Sequence, residues 1–420
     1  MKILIKAAEV FDPESDFNRH VVDLMLENGR ITRIGENLNE EGTIIRGNNL
    51  KVSPGWMDLN TSFGDPGYEH KEDLQSGLEA ARAGGFTAVA LMPNNNPVSQ
   101  TKNSISYLKA NNAHNVTQVY PIGAVTIDTA GENLTEMLDL HYAGAIAFSD
   151  GTHPVWHTDI MVKALLYLQK IDALLIQRPE DIWLNKFGTM HEGYASTMLG
   201  MKGMPSLAEE LMIERDLKLL EYTGGKVHFG KISTARSVEL IRTAKKKGLK
   251  VTCDVAAYQM GFTAEALVNF ETNYKVNPPF RDEEDNDALI GGLKDGTIDA
   301  IVSAHQPQDE ESKNLEFDLA DFGVINLQTV WPQLLQLKEK VPLDLLIEKV
   351  STNPRKLTGL KVPTIAEGKK ANVTLFDDSE WEFNQKSNFS KANNSPYFKQ
   401  KLKGKIIASI NNDQLYLNEE

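Results

Sequence analysis

Eight short apolar runs, each followed by a stretch of helical periodicity, constrain this chain more than any other feature. The runs are Trp56–Leu59, Thr87–Met92, Thr117–Val125, Ala143–Phe148, Ala173–Gln177, Lys226–Phe229, Val251–Val255 and Ala300–Ser303. Between them lie amphipathic segments such as Asp73–Ala83, Met161–Gln169, Ser206–Leu220 and Ala235–Lys247. Strands buried on both faces read as continuous apolar runs. Eight of them alternating with helices predict an α/β chain folded as a (β/α)8 barrel.

The two ends of the chain have a different period. Val22, Leu24 and Leu26 alternate with polar neighbours, Asn28-Gly29 supplies the positive-φ pair of a tight hairpin, and Ile31 and Ile34 follow. Near the other end, Asn372–Phe376, Lys405–Ile410 and Leu415–Leu417 read as strands, and Asn411-Asn412-Asp413 separates the last two. The expectation is a small composite β-sandwich built from residues 1–52 and 365–420, flanking a barrel over 53–364. A barrel of about 250–300 residues plus such a satellite fits a chain of 420.

Charge and cysteine usage narrow the function. Lys and Arg number 44 against 58 Asp and Glu, a net charge of −14, which disfavours nucleic acid and anionic membrane as partners. Cys253 stands alone, so no intrachain disulfide can form, and it is expected to be a buried core thiol. No run approaches the roughly 18 apolar residues of a membrane span. The cytoplasm is the expected location. Gly224-Gly225 and Gly291-Gly292 do not form a phosphate-cradling loop.

A barrel of this kind places its chemistry at the C-terminal ends of the strands. There the sequence reads Asp58-Leu59-Asn60-Thr61-Ser62, Met92-Pro93-Asn94, Ser149-Asp150-Gly151, Gln177-Arg178-Pro179-Glu180-Asp181, Gly230-Lys231-Ile232-Ser233-Thr234, Val276-Asn277-Pro278-Pro279-Phe280-Arg281 and Ser303-Ala304-His305-Gln306-Pro307. In this order the motifs resemble the dihydroorotases of the long bacterial type, within the cyclic amidohydrolases. The similarity runs on through Asp295-Gly296-Thr297, Phe322-Gly323 and Thr352-Asn353-Pro354.

The resemblance also marks departures. Where the family carries paired histidines after the first strand, this chain has Asn60 and Ser62. The second Asp of the family's acidic pair corresponds to Gly151, beside a retained Asp150. Family histidines after the fifth and sixth strands correspond to Arg178 and Lys231, and the catalytic aspartate after the eighth to Ala304. The arginine that grips substrate corresponds to Gly64, and a late substrate-contacting histidine to Gln308. Asn94, Asn277 and His305 are retained as vestigial substrate-binding positions. Asn94 reads equally as a ligand contact or as a side chain satisfying a tight loop.

Zinc needs three or four N, S or carboxylate ligands. Asn and Ser are weak neutral donors, and Arg does not deprotonate. The resemblance therefore implies that the family's zinc site is gone, that no cofactor is held, and that no group at Ala304 moves the proton. We expect Arg178 and Lys231 to fill the former metal position in ion pairs with Asp58, Asp65 or Asp150. An outside alternative is a metal held by Asp150, His153 and His157, two histidines four apart with Pro154 between them. His70 and His305 are expected to orient loops, while His20, His114, His141, His191 and His228 show no site context. Some family members without metal ligands hold aspartate carbamoyltransferase in an assembly for pyrimidine synthesis, and the resemblance implies that role here, as a homodimer. The alternative is an amidohydrolase with an altered or metal-free site.

Overall fold

The computed structural model describes residues 1–39, 41–110 and 115–418. His114 lies outside the described residues. All eight apolar runs become strands of one parallel sheet, in chain order: Trp56–Thr61, Phe86–Leu91, Gln118–Gly123, Ala147–Phe148, Leu174–Gln177, Val227–Phe229, Val251–Ala256 and Ala300–Val302. The first and last strands meet through a parallel bridge between Thr61 and His305, with the Ser62 amide donating to the His305 carbonyl at 2.9 Å. That seam closes the sheet into a barrel.

Two layers of apolar side chains hold it. Met57, Leu59, Ala88, Ala90, Ile122 and Ile176, with others from the same strands, form one cluster. The alternate residues Val89, Leu91, Val119, Leu175, Val227 and Phe229 pack with helical side chains in another. Alternation along each strand divides the two. Local signals set the helix ends. Asp73 caps the helix Leu74–Ala83 by accepting from the Ser76 amide at 2.8 Å. Lys245 and Lys246 close the helix Ala235–Lys246, and Gly248 just beyond it takes φ +82°.

The chain ends share a second sheet. Its strands run in the order Arg30–Gly35, Val21–Glu27, Lys2–Val10, Lys51–Pro54, Asn372–Phe383, Gln400–Asn411 and Gln414–Leu417, so that Lys51–Pro54 joins the two chain ends, and the short strand Thr43–Ile45 lies against Lys2–Val10. The pairings are antiparallel except those of Lys2–Val10 with Thr43–Ile45 and with Lys51–Pro54. Asn28 and Gly29 both take positive φ, as the hairpin reading requires. This sheet has its own core, including Ile5, Leu24, Val52, Val373 and Ile410. Trp56 joins it to the barrel, with ring centroids 5.9, 6.1 and 5.4 Å from Phe86, Trp331 and Phe376.

Candidate functional site

Asp58 sits in the first strand and is fully enclosed. Its carboxylate accepts from the Ser303 amide at 2.7 Å, from the Ser303 hydroxyl at 2.6 Å and from the Thr61 hydroxyl, tying the first strand to the eighth. Burial raises its pKa against those hydrogen bonds. Asp150, after the fourth strand, is equally committed. Oδ1 accepts from the amides of Val125 and Thr126 at 3.0 and 2.9 Å, and Oδ2 from the Thr126 hydroxyl at 2.5 Å. Burial pushes its pKa up to about 6. Asp65 takes the Tyr107 hydroxyl at 2.7 Å and the Leu74 amide at 3.3 Å. None of these three carboxylates pairs with Arg178 or Lys231, contrary to the sequence expectation. Each is consumed by backbone and hydroxyl donors nearer to it.

Arg178, after the fifth strand, is 8% exposed, and its Nε donates to Glu180 Oε2 at 2.6 Å. Glu180 also accepts from the side-chain amides of Asn185 and Asn277, at 2.9 and 3.2 Å. Burial would raise the Glu180 pKa, but the Arg178 charge and these hydrogen bonds outweigh it and hold the carboxyl below its ordinary range. Lys231, after the sixth strand, is 6% exposed. Its Nζ donates to the Asn277 carbonyl at 3.3 Å, and its backbone amide to Asp254 Oδ1 at 2.6 Å. Burial and then the Arg178 charge push its pKa down to about 7, against Asp254 and Glu180. The other Asp254 oxygen lies 2.8 Å from His228 Nε2, and His228 Nδ1 lies 2.8 Å from the Thr252 hydroxyl.

The retained positions behave as frame. Asn94 donates to the Asp150 carbonyl at 3.0 Å and accepts from the Thr152 amide at 2.9 Å, stapling the loop after the second strand to that after the fourth. His305 Nδ1 accepts from the Asn326 amide at 3.1 Å, and its Nε2 faces Glu72 at 3.5 Å without a hydrogen bond. Only Asn277 of the three reaches this cluster, accepting from Lys231 and donating to Glu180. Gln308 accepts from Lys71 Nζ at 2.6 Å and donates to the Phe322 carbonyl at 2.7 Å. His153 Nδ1 lies 3.1 Å from the Thr129 hydroxyl, and His157 starts the helix Thr158–Leu168 with an exposed ring. With Asp150 bonded elsewhere, these two histidines and that carboxylate are not a ligand set.

Backbone geometry refuses the family's side chains at two positions. A Cβ on Gly151, at φ +66°, would stand 1.8 Å from Asn94 Oδ1, and one on Gly64 would stand 2.2 Å from the Tyr68 carbonyl. Lys231 and Ala304 take φ +56° and +50°, left-handed values that cost a side-chain-bearing residue about 1–2 kcal/mol. Asn60, Ser62, Arg178 and Lys231 fit a zinc ion poorly: Arg178 has no lone pair to give, Lys231 offers one only when deprotonated, and Asn60 and Ser62 offer weak neutral oxygens. Among the described residues no three His, Cys, Asp or Glu side chains gather as a metal-binding group. Sequence reasoning passed over Glu180, Asp254 and His228. The signal was present for the last two, as a charged and a titratable residue inside the apolar runs Val251–Val255 and Lys226–Phe229.

A closed parallel barrel with polar groups gathered after its strands, plus a sheet from both chain ends, defines the amidohydrolase class of fold. L-Hydantoinase from Arthrobacter aurescens superposes with a TM-score of 0.86, at 20% identity over 98% of this chain and 95% of its own. A dihydropyrimidinase from Brevibacillus agri gives 0.82, at 19% identity over 99% and 95%. A family profile described as Dihydro-orotase-like matches residues 50–237. Proteins named Dihydroorotase from Acetivibrio thermocellus and Pelotomaculum thermopropionicum are 40% and 41% identical, covering 100% and 98% of this chain and 99% and 97% of their own. The chain belongs to the dihydroorotase family.

Proposed function

We propose that this chain is a pyrimidine-pathway member of its family without hydrolase activity, serving as a structural or regulatory partner of aspartate carbamoyltransferase. The observation that carries the reading is the donor set after strands one, five, six and eight. A cyclic-amide hydrolase of this class needs a Lewis acid for the carbonyl and an acid–base group for the leaving nitrogen. Arg178 and Lys231 oppose a divalent cation, and Ala304 cannot move a proton. An intact frame with its reactive groups replaced suits a role in shape and surface. Trp183, Phe187, Tyr194 and Met198, exposed after the fifth strand, offer apolar area of the kind that protein partners cover. Among the described residues no helix is long and apolar enough to cross a membrane, and the reading places the protein in the cytoplasm as a homodimer.

The second reading, an amidohydrolase with an altered site, is favoured by the name that the full-length relatives carry. Dihydroorotate hydrolysis assayed with added zinc separates the two. The first reading expects no turnover and no stoichiometric zinc, together with co-migration with a carbamoyltransferase subunit. Zinc-dependent turnover by the natural chain would overturn it.

A further inference from the structure

Two buried cations held side by side need an explanation beyond the loss of a metal. Arg178 spends one nitrogen on Glu180, and among the described residues its two terminal nitrogens have no hydrogen-bonded acceptor. Lys231 carries three ammonium hydrogens when charged and makes one long bond, to the Asn277 carbonyl. These spare donors are not among the sealed, unsatisfied buried atoms of the described residues, so an acceptor can reach them. Here several converge on one cleft, with Glu180 and Asn277 on its wall.

The cleft between them has about 10 Å³ of free space, room for roughly one oxygen-sized group. It shares Glu180, Asn185 and Asn277 with an open groove of about 480 Å³ lined by Thr189, Met204 and Phe322. That volume lies in the ordinary range for a small-molecule site. We propose that Arg178 and Lys231 form an anion site: one carboxylate oxygen of a small organic acid seats between them, and the body of the acid lies in the adjoining groove. A carboxylate is the matching acceptor, because guanidinium and ammonium donors bind it with charge-assisted hydrogen bonds. The cations are balanced by Glu180 and by Asp254, itself bonded to His228, while Arg281 and Glu209 line the same cleft. Attraction therefore comes from the spare donors rather than from a net positive charge. The inference rests on the reading that these positions hold no zinc, and it turns the family's cation site into an anion site.

The test uses the intact chain. Succinate and its uncharged diamide are titrated by calorimetry near pH 6.5, after chelator treatment and again with zinc added. Succinate is expected to bind with a Kd on the order of 1 mM and the diamide not to bind. Arg178→Met and Lys231→Met should each weaken succinate about tenfold or more, and Lys231→Arg should retain it. Should the Met variants not fold, the natural chain answers alone: succinate should protect Lys231 from an amine-reactive reagent, read by mass spectrometry. Equal binding by both variants, equal binding of the diamide, or no protection of Lys231 would overturn the proposal. Succinate binding that appears only with zinc would overturn the metal-free reading as well. Absence of both zinc and succinate binding sinks the anion site and leaves that reading standing.

Discussion

The barrel mouth has two halves with opposite uses of charge. Asp58, within strand one, and Asp150, after strand four, each accept from three donors, and all of those donors belong to the frame. After strands five and six, Arg178 and Lys231 keep hydrogens that the frame does not use. The acidic half is structural and the cationic half is where a ligand can act. Side chains of comparable burial thus differ in whether their polar atoms are spent, and that difference separates frame from site.

The contrast breaks first at Asp150. Asp150→Ala leaves two buried amides and a hydroxyl without their acceptor, at about 1–3 kcal/mol for each unsatisfied group, so a loss of at least about 3 kcal/mol is expected in urea unfolding. A loss below about 1 kcal/mol would mean that the carboxylate is not holding the loops and is available for chemistry. Gly151→Asp comes next. It forces a side chain into the left-handed region against Asn94 and breaks the staple to Thr152, for about 2–3 kcal/mol. It should not create zinc affinity, because Arg178 and Lys231 remain; zinc retained through dialysis would show that the missing carboxylate was the only obstacle.

Lys231 supplies a smaller effect with a defined sign. Its folded pKa, about 7, lies below the ordinary lysine value, so the folded chain binds fewer protons than the unfolded one between about pH 7 and 10. Stability contributed through this group therefore rises with pH across that window, and the penalty is complete below it. Lys231→Met should be more stable than the natural chain at pH 6, on the order of 1–3 kcal/mol, with the gain shrinking by pH 9. A gain that does not change with pH would place the ammonium in solvent. An anion bound between Arg178 and Lys231 would reduce the gain, which links this measurement to the calorimetric one.

The frame was legible in the sequence because burial on both faces leaves uninterrupted apolar runs, and all eight strands lie where such runs occur. The Asn28-Gly29 hairpin was legible for an equally local reason, since few residue pairs accept two positive φ values. The partners of Arg178 and Lys231 were not. Which carboxylate meets a cation depends on distances between loops that no local pattern carries, and Glu180, two residues from Arg178, was nearer than Asp58, Asp65 or Asp150. The cost of a side chain at Gly151 was invisible as well, because it is set by Asn94, a residue fifty-seven positions away, folded against the same loop.

The smallest expected effect sharpens the comparison at the rim. His157 occupies the position preceding the helix Thr158–Leu168 but makes no capping hydrogen bond, and its ring packs against Trp156 with centroids 5.4 Å apart. His153 meets a single hydroxyl, that of Thr129. Neither is bound into the acidic half by charge, and Asp150 cannot turn toward them without abandoning Val125 and Thr126. His157→Ala should therefore shift stability by no more than about 0.5 kcal/mol, the ordinary range for an exposed substitution, and His153→Ala by about 1 kcal/mol at most for one part-buried hydrogen bond. Neither change should alter metal affinity measured by competition with a zinc-sensitive dye. If either variant lost affinity about tenfold, as a ligand or its orienting partner does, then Asp150 and these histidines would have to come together in solution, and the division between a spent acidic half and an unspent cationic half would fail.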